Sequence, residues 1–224
     1  LAGYYAHIAA LDESLGHLLK TIDNAGLRDD TIVVFTSDHG DMLGSHGQIR
    51  KQKPWDESIR VPLLIRGPGV MNRAIDMPIN TPDLMPTLLG ACGVPVPASA
   101  QGTDFSSLLR GTRPPDDNPV LIQCPSPFGE WTRARGGREY RGVRTRRHTY
   151  VRDLNGPWLL YDNEADPYQL ANLVGQPRQA AVQARLEREL RRLLAETGDD
   201  FQPGQAYIAQ WGYPVDAHGT MPYK

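Results

Sequence analysis

The sequence predicts an α/β fold: a parallel-sheet domain over residues 1–119, then a small antiparallel α+β subdomain and tail over 120–224. Three observations carry that expectation. A helical apolar pattern leads directly into a run of β-formers at Thr31-Ile32-Val33-Val34-Phe35, and a helix–loop–strand order is one αβ unit of a parallel sheet. A second apolar run, Val61-Pro62-Leu63-Leu64-Ile65, closes on Gly67-Pro68-Gly69. From Val120 onward the texture changes to short β runs around an Asn155-Gly156 turn, followed by a final helical pattern.

Each element has its own signal. Tyr4, Ile8, Leu11, Leu15, Leu18, Leu19 and Ile22 recur at three- and four-residue steps, and Gly26 stands where such a helix ends. The unbroken Thr31–Phe35 run reads as a strand buried on both faces. Thr81-Pro82-Asp83 reads as an N-cap, a first-turn proline and a first-turn acid; Leu84, Leu88, Leu89 and Cys92 follow before Gly93. Cys92 is expected to be a small buried apolar residue. The stretch 94–119 reads as a loop with a short helix near Phe105–Leu109. Strands are expected at 120–122, 141–145, 148–152 and 158–161, and a last helix carries Val182, Leu186, Leu190, Leu193 and Leu194.

Composition sets the bounds. A chain of 224 residues with 40% hydrophobic and 22% charged content can bury a respectable core. The net charge of −2 argues against bulk attraction to nucleic acid or to a membrane surface, and no apolar run approaches the length of a membrane span. Two cysteines define no disulfide framework and leave the compartment open, as the oligomeric state is left open. Leu1 is not a start methionine and the helical pattern is already under way at Tyr4, so the chain is expected to be the C-terminal part of a longer protein.

Ser37-Asp38-His39-Gly40 lies at the C-terminal end of the first strand, where open α/β sheets place their ligands. Asp38 offers oxygen and His39 nitrogen, so the pair suits one divalent cation. An Asp capping the next turn beside a solvent-facing His is the plainer alternative. Gly40, Gly44 and Gly47 keep the following loop open, and that loop delivers His46 and Lys51 to the same mouth.

Asp38, His39, Leu43, Gly44, His46, Gly47, Lys51, Trp55, Asp56, Glu57, Arg60, Val61, Pro62 and Leu63 stand in the order of a known pattern. The segment resembles the sulfatase family of the alkaline-phosphatase-like superfamily: Ser-Asp-His-Gly, Leu-Gly-x-His-Gly, a Lys, an aromatic-acidic-Glu step, then Arg-Val-Pro-Leu. Leu160, Tyr161, Asp162, Asp166, Pro167, Asn172 and Leu173 match a second family stretch, so the resemblance runs from about Tyr4 to Leu194. It implies the C-terminal part of the family's catalytic α/β domain plus its small C-terminal subdomain, and hydrolysis of a sulfate ester.

The resemblance further implies that Asp38 and His39 are metal ligands, for calcium with manganese as the alternative. Lys51 would touch a sulfate oxygen or the leaving-group oxygen, with Lys53 as local competitor or a solvated loop charge. His46 would be placed beside Lys51 among the catalytic residues, bordering the substrate, with a hydrogen bond to its own loop as the alternative. Asp56 and Glu57 read as structural ion-pair partners, with Arg60 within reach. His7 and His17 read as surface residues, and His148 and His218 have no partner pattern. The family nucleophile, a formylglycine made from Cys-x-Pro-Ser-Arg, is expected upstream of Leu1. Cys124-Pro125-Ser126-Pro127 has the wrong order and is a decoy.

Arg133, Arg135, Arg138, Arg141, Arg144, Arg146 and Arg147 crowd one stretch. A solvated edge, a sulfated polyanion and nucleic acid all fit such charge; the acidic balance elsewhere speaks against nucleic acid. The expected partner is a small-molecule or carbohydrate sulfate ester. Phosphonate or phosphate ester hydrolysis on the same scaffold, and a non-catalytic paralogue, are the competing functions. Without the nucleophile, the chain alone is expected to be inactive.

Overall fold

A computed structural model describes residues 1–216. The chain forms helix α1 (Ala2–Asn24), strand β1 (Val33–Thr36), the one-turn helix α2 (Asp56–Ile59), strand β2 (Leu63–Arg66), helix α3 (Thr81–Ala91) and the one-turn α4 (Ser106–Leu109). Then follow strands β3 (Val120–Cys124), β4 (Tyr140–Arg144), β5 (His148–Asp153) and β6 (Gly156–Asp162), and helices α5 (Ala180–Thr197) and α6 (Gly204–Trp211).

The second half is built around a four-stranded antiparallel meander in the order β3-β4-β5-β6. Strand alternation gives the sheet two apolar faces. Val143, Tyr150 and Leu160 point to one face, where the periodic leucines Leu186 and Leu190 of α5 close over them without residual exposure. Cys124, Tyr140, Val151, Leu159 and Tyr161 make the other face, which is covered by Trp131, Trp55 and Trp158. Trp55 comes from the loop behind β1, so the sheet's second face is also the seat of that loop.

The first half differs from expectation in three respects of its sheet and first helix. β1 and β2 pair antiparallel, Val33 opposite Arg66 and Thr36 opposite Leu63, rather than lying in parallel register. Their connection, residues 37–62, is long enough for a crossover but carries only one-turn helices, and without a longer helix to lead it across the sheet the chain returns beside β1 in the opposite sense. The Thr31–Phe35 run is half-buried, not buried on both faces, and α1 has no buried residue although its predicted apolar stripe is in place. Of that stripe Tyr4, Ile8, Leu11 and Leu18 are exposed, and only Leu15, Leu19 and Ile22, toward the end where Asp23 pairs with Arg66 of β2, are half-buried.

At α3 the cap lies one residue earlier than the sequence suggests: Thr81 N–H donates to Asn80 Oδ1 at 2.8 Å, while Asn80 N–H donates to Asp83 Oδ2 at 2.8 Å. Cys92 caps the far end of α3 and is exposed, not buried. Helix α6 was not legible as a helix and lies where an irregular tail was expected; His218 falls outside the described residues.

Candidate functional site

β1 ends at Thr36 and delivers Ser37, Asp38 and His39 to the surface. Gly40 then passes so close to α2 that its N–H donates to Ser58 O at 2.9 Å, and a Cβ at this position would run into the Glu57 carbonyl oxygen. A larger residue would push the Asp38-His39 turn away from the element that follows.

The next residues form a closed excursion. Asp41 Oδ1 accepts from Leu43 N–H at 2.9 Å and from Arg50 N–H at 3.1 Å, drawing its two ends together over the buried Met42. Four non-glycine residues, Leu43, His46, Arg50 and Gln52, have positive φ within this short segment. Such conformations cost on the order of 1–3 kcal/mol each and gather at functional sites. The strain is held by contacts from far along the chain. Gln52 exchanges two hydrogen bonds with the Phe128 backbone at 3.1 and 3.2 Å, and Arg50 pairs with Glu130 at 2.9 Å.

At the mouth of the loop three charged or titratable groups meet. His39 Nδ1 lies 2.7 Å from Gly40 O, and His39 Nε2 lies 2.8 Å from Lys51 Nζ and 3.4 Å from Asp38 Oδ2. A carbonyl only accepts and an ammonium only donates, so Nδ1 carries the imidazole proton and Nε2 presents its lone pair. Asp38 Oδ1 accepts from His39 N–H at 3.0 Å and from Ser37 Oγ at 3.4 Å. Desolvation opposes ionisation of Asp38, but His39, its N–H and the Ser37 hydroxyl hold the carboxyl below its ordinary range. The result is an exposed carboxylate beside a basic imidazole nitrogen. These two donors fit the oxygen-plus-nitrogen half of a divalent-cation site; among the described residues no group of three or more His, Cys, Asp or Glu is placed to complete it.

His46 takes a different place. Its left-handed backbone turns the ring onto Trp55, stacked at 4.9 Å between centroids, and no hydrogen bond joins it to the His39–Lys51 pair among the described residues. Lys53 is buried, not a solvated loop charge: its ammonium donates to Ile49 O at 2.8 Å and Lys51 O at 3.0 Å, over the Trp131 ring. Desolvation lowers its pKa, opposed by Asp41 and Glu130.

Asp56 pairs with Arg144 of β4, not with Arg60, because the start of α2 docks on the sheet. Gln169, almost fully buried, donates to Asp56, Thr149 and Asn163 and accepts from Asp56 N–H. No local signal marks Gln169, Phe128 or Glu130, since each partner lies far away in sequence.

Most of the arginine-rich stretch is paired with carboxylates. Arg133 meets Glu139, Arg138 meets Asp153, Arg141 meets Asp199, and Arg147 meets Asp162. His148 is buried on β5, and burial lowers its pKa. Cys124 is buried and its thiol is pushed up to about 12 by desolvation, then by Glu139, which removes the thiolate a nucleophile needs.

The Sulfatase family model matches residues 1–94. The ulvan-active sulfatase of Formosa agariphila is 42% identical over 221 residues, 95% of this chain and 42% of that protein. Among solved structures, BT4656, determined with its substrate D-glucosamine-2-N,6-O-disulfate, superposes with a TM-score of 0.74 at 28% identity, over 88% of this chain and 40% of that one. The phosphonate monoester hydrolase of Agrobacterium radiobacter has the same TM-score and identity, over 99% of this chain and 45% of that one. The chain spans about two fifths of the length of the curated relatives it matches. With the Asp38–Lys51 motif, the α/β fold and these likenesses together, the chain belongs to the sulfatase family.

Proposed function

We propose that Asp38, His39 and Lys51 are the cation-binding and proton-donating part of a site that hydrolyses a sulfate ester. The carrying observation is the meeting at His39 Nε2 of the Asp38 carboxylate and the Lys51 ammonium, at 3.4 and 2.8 Å. Asp38 oxygen and His39 Nε2 would be two ligands of a divalent cation, calcium by its preference for oxygen or manganese by its tolerance of imidazole. A cation there supplies charge stabilisation and lowers the proton affinity of what it holds. Lys51 steadies a sulfate oxygen and gives a proton to the departing oxygen. His46, fixed on Trp55, borders the substrate rather than reacting with it.

The substrate class we infer is a sulfated carbohydrate, on the strength of the ulvan-active relative and the disulfated glucosamine bound by BT4656. The paired arginines leave little free charge for a nucleic acid. We also infer that the nucleophile, a formylglycine, lies outside these 224 residues, so the chain by itself has no turnover. Phosphonate or phosphate monoester hydrolysis is the second reading, favoured by likeness to the Agrobacterium radiobacter enzyme along 99% of the chain.

Assay of the 224-residue chain with 4-nitrophenyl sulfate and calcium is expected to give no product; turnover lost in Lys51→Ala would overturn the inference that the nucleophile is elsewhere. In a protein joining these residues to a nucleophile segment, Lys51→Ala is expected to lower kcat by roughly 10²–10⁴. An unchanged kcat removes Lys51 from the chemistry. A preference for phenylphosphonate over aryl sulfate selects the second reading.

A further inference from the structure

Lys53 is 3% exposed and puts its charge under the loop, where no solvent or substrate charge is at hand. Its ammonium bridges the carbonyls of Ile49 and Lys51, and its own N–H donates to Ser58 Oγ at 3.2 Å. Between and beside those two carbonyls the chain turns left-handed at Arg50 (φ 66°) and at Gln52 (φ 75°). L-residues adopt that conformation reluctantly, and alternating it along three residues aims successive carbonyls into the protein instead of out to water. Carbonyls so placed need a donor. Lys53 supplies two charge-assisted bonds from one head, and the Trp131 face, 5.3 Å from Nζ to the ring centroid, receives the remaining charge.

We propose that Lys53 is a positioning residue: by holding the Ile49 and Lys51 carbonyls it maintains the left-handed kinks that project the Lys51 ammonium onto His39 Nε2. The geometry leaves few other ways for Lys51 to be fixed. Lys51 is itself exposed, and its Nζ reaches His39 across the loop from a backbone whose own peptide oxygen is the one Lys53 holds. The neighbouring anchors act on other residues: Arg50 is held by Glu130 through its side chain and by Asp41 and Met42 through its backbone, and Gln52 by Phe128, while the Lys51 carbonyl is held by Lys53. Arg50 and Gln52 therefore set where the loop lies, and Lys53 sets which way its central residue faces. The catalytic importance of this device rests on the role proposed above for Lys51; the device itself is a statement about loop geometry.

The test uses the 224-residue chain with ¹⁵N-labelled histidine and backbone. Lys53→Met keeps length and apolar stem but offers no donor. Two signals are read: the His39 imidazole nitrogens, which report the Lys51 contact at Nε2, and amide hydrogen exchange at residues 48–52. The expected result is a changed His39 Nε2 signal and exchange faster by at least ~10-fold in the loop, with exchange in α5 unaltered. Leu190→Ala, which loosens the core under α5, should leave the His39 signals as they are, separating loss of positioning from general destabilisation. If Lys53→Met does not fold, Lys53→Gln, whose amide is too short to span both carbonyls, is read by the same signals with the same expectation. A folded variant with unaltered His39 signals and loop exchange overturns the proposal. No activity is read, so failure of the sulfatase reading would leave this result standing, and the converse also holds.

Discussion

Arg144 grips Asp56 with two parallel hydrogen bonds, Nε to Oδ1 at 3.1 Å and Nη2 to Oδ2 at 3.0 Å. Both side chains are 16% exposed. The fork joins the last residue of β4 to the first residue of α2, and so ties the sheet of the second half to the segment that closes the site loop. A bidentate, half-buried pair of this kind is geometrically specific as well as strong.

Breaking that fork from one side should be costly. Arg144→Met leaves Asp56 partly buried with only Gln169 as a side-chain donor, and the expected loss is about 2–3 kcal/mol, as for a charged group deprived of its partner. Replacing both residues, Arg144→Met with Asp56→Leu, should cost less than the single change. Urea unfolding followed by tryptophan fluorescence measures both. Equal losses in the single and double variants would show that the pair is not coupled.

Cation binding should depend on Lys51 in an unusual direction. The ammonium occupies the lone pair of His39 that a cation would take. Lys51→Ala is expected to tighten calcium or manganese binding to the chain by roughly tenfold, about 1.4 kcal/mol, while Asp38→Asn weakens it. Titration followed by calorimetry decides it. Weaker binding in Lys51→Ala would mean that the lysine supports the cation rather than displacing it.

Acid should loosen the attachment of α6. Burial alone would raise the carboxyls of Glu139 and Asp199, but Arg133 with the Gly204 N–H, and Arg141 with Tyr207, hold them below their ordinary values of 4.5 and 3.8. Carboxylates lowered in the folded state stabilise it above those ordinary values, and the contribution is lost as pH falls through the lowered ones. Stability should be level near neutrality and decline below about pH 4.5. Glu139→Gln should flatten part of that decline, and unfolding midpoints across pH 3–7 provide the check. An identical acid slope in the variant would remove Glu139 from the effect.

The two thiols should differ sharply. Cys92 is exposed, whereas Cys124 is buried with its thiol pushed up to about 12. Iodoacetamide at pH 8 is expected to modify Cys92 in the folded chain and to reach Cys124 only after denaturation. Mass mapping of the labelled peptides settles which cysteine reacts.

The parts legible in the sequence are those whose signal is local. Leu186 and Leu190 recur at helical spacing and do form the seam of α5 with the sheet; Asn155-Gly156 does turn β5 into β6. Asp38, His39 and Lys51 fall together because they flank one short loop. Lys53 looked like one more solvated loop charge because what buries it, Trp131, arrives much later in the chain. The same holds for Asp56, whose true partner is Arg144 rather than the adjacent Arg60. The antiparallel pairing of β1 and β2 is a matter of tertiary return path, which periodicity does not encode. Helix α6 had a weak signal in Tyr207, Ile208 and Trp211, at helical steps between Pro203 and Gly212, too short to stand out from the tail.

The largely uncovered stripe of α1 bears on how the molecule comes apart. A helix of 23 residues with no fully buried side chain is held mainly by its own backbone bonds, with Asp23 tied to Arg66 near its C-terminal end, whereas α5 is locked into the sheet. Amides of α1 should therefore exchange by local opening while those facing Leu186 and Leu190 wait for global unfolding. Heating followed by total helicity would then blend two transitions into one broad curve. Near-ultraviolet signals from Trp131, Tyr140 and Trp158 would report only the later, cooperative one.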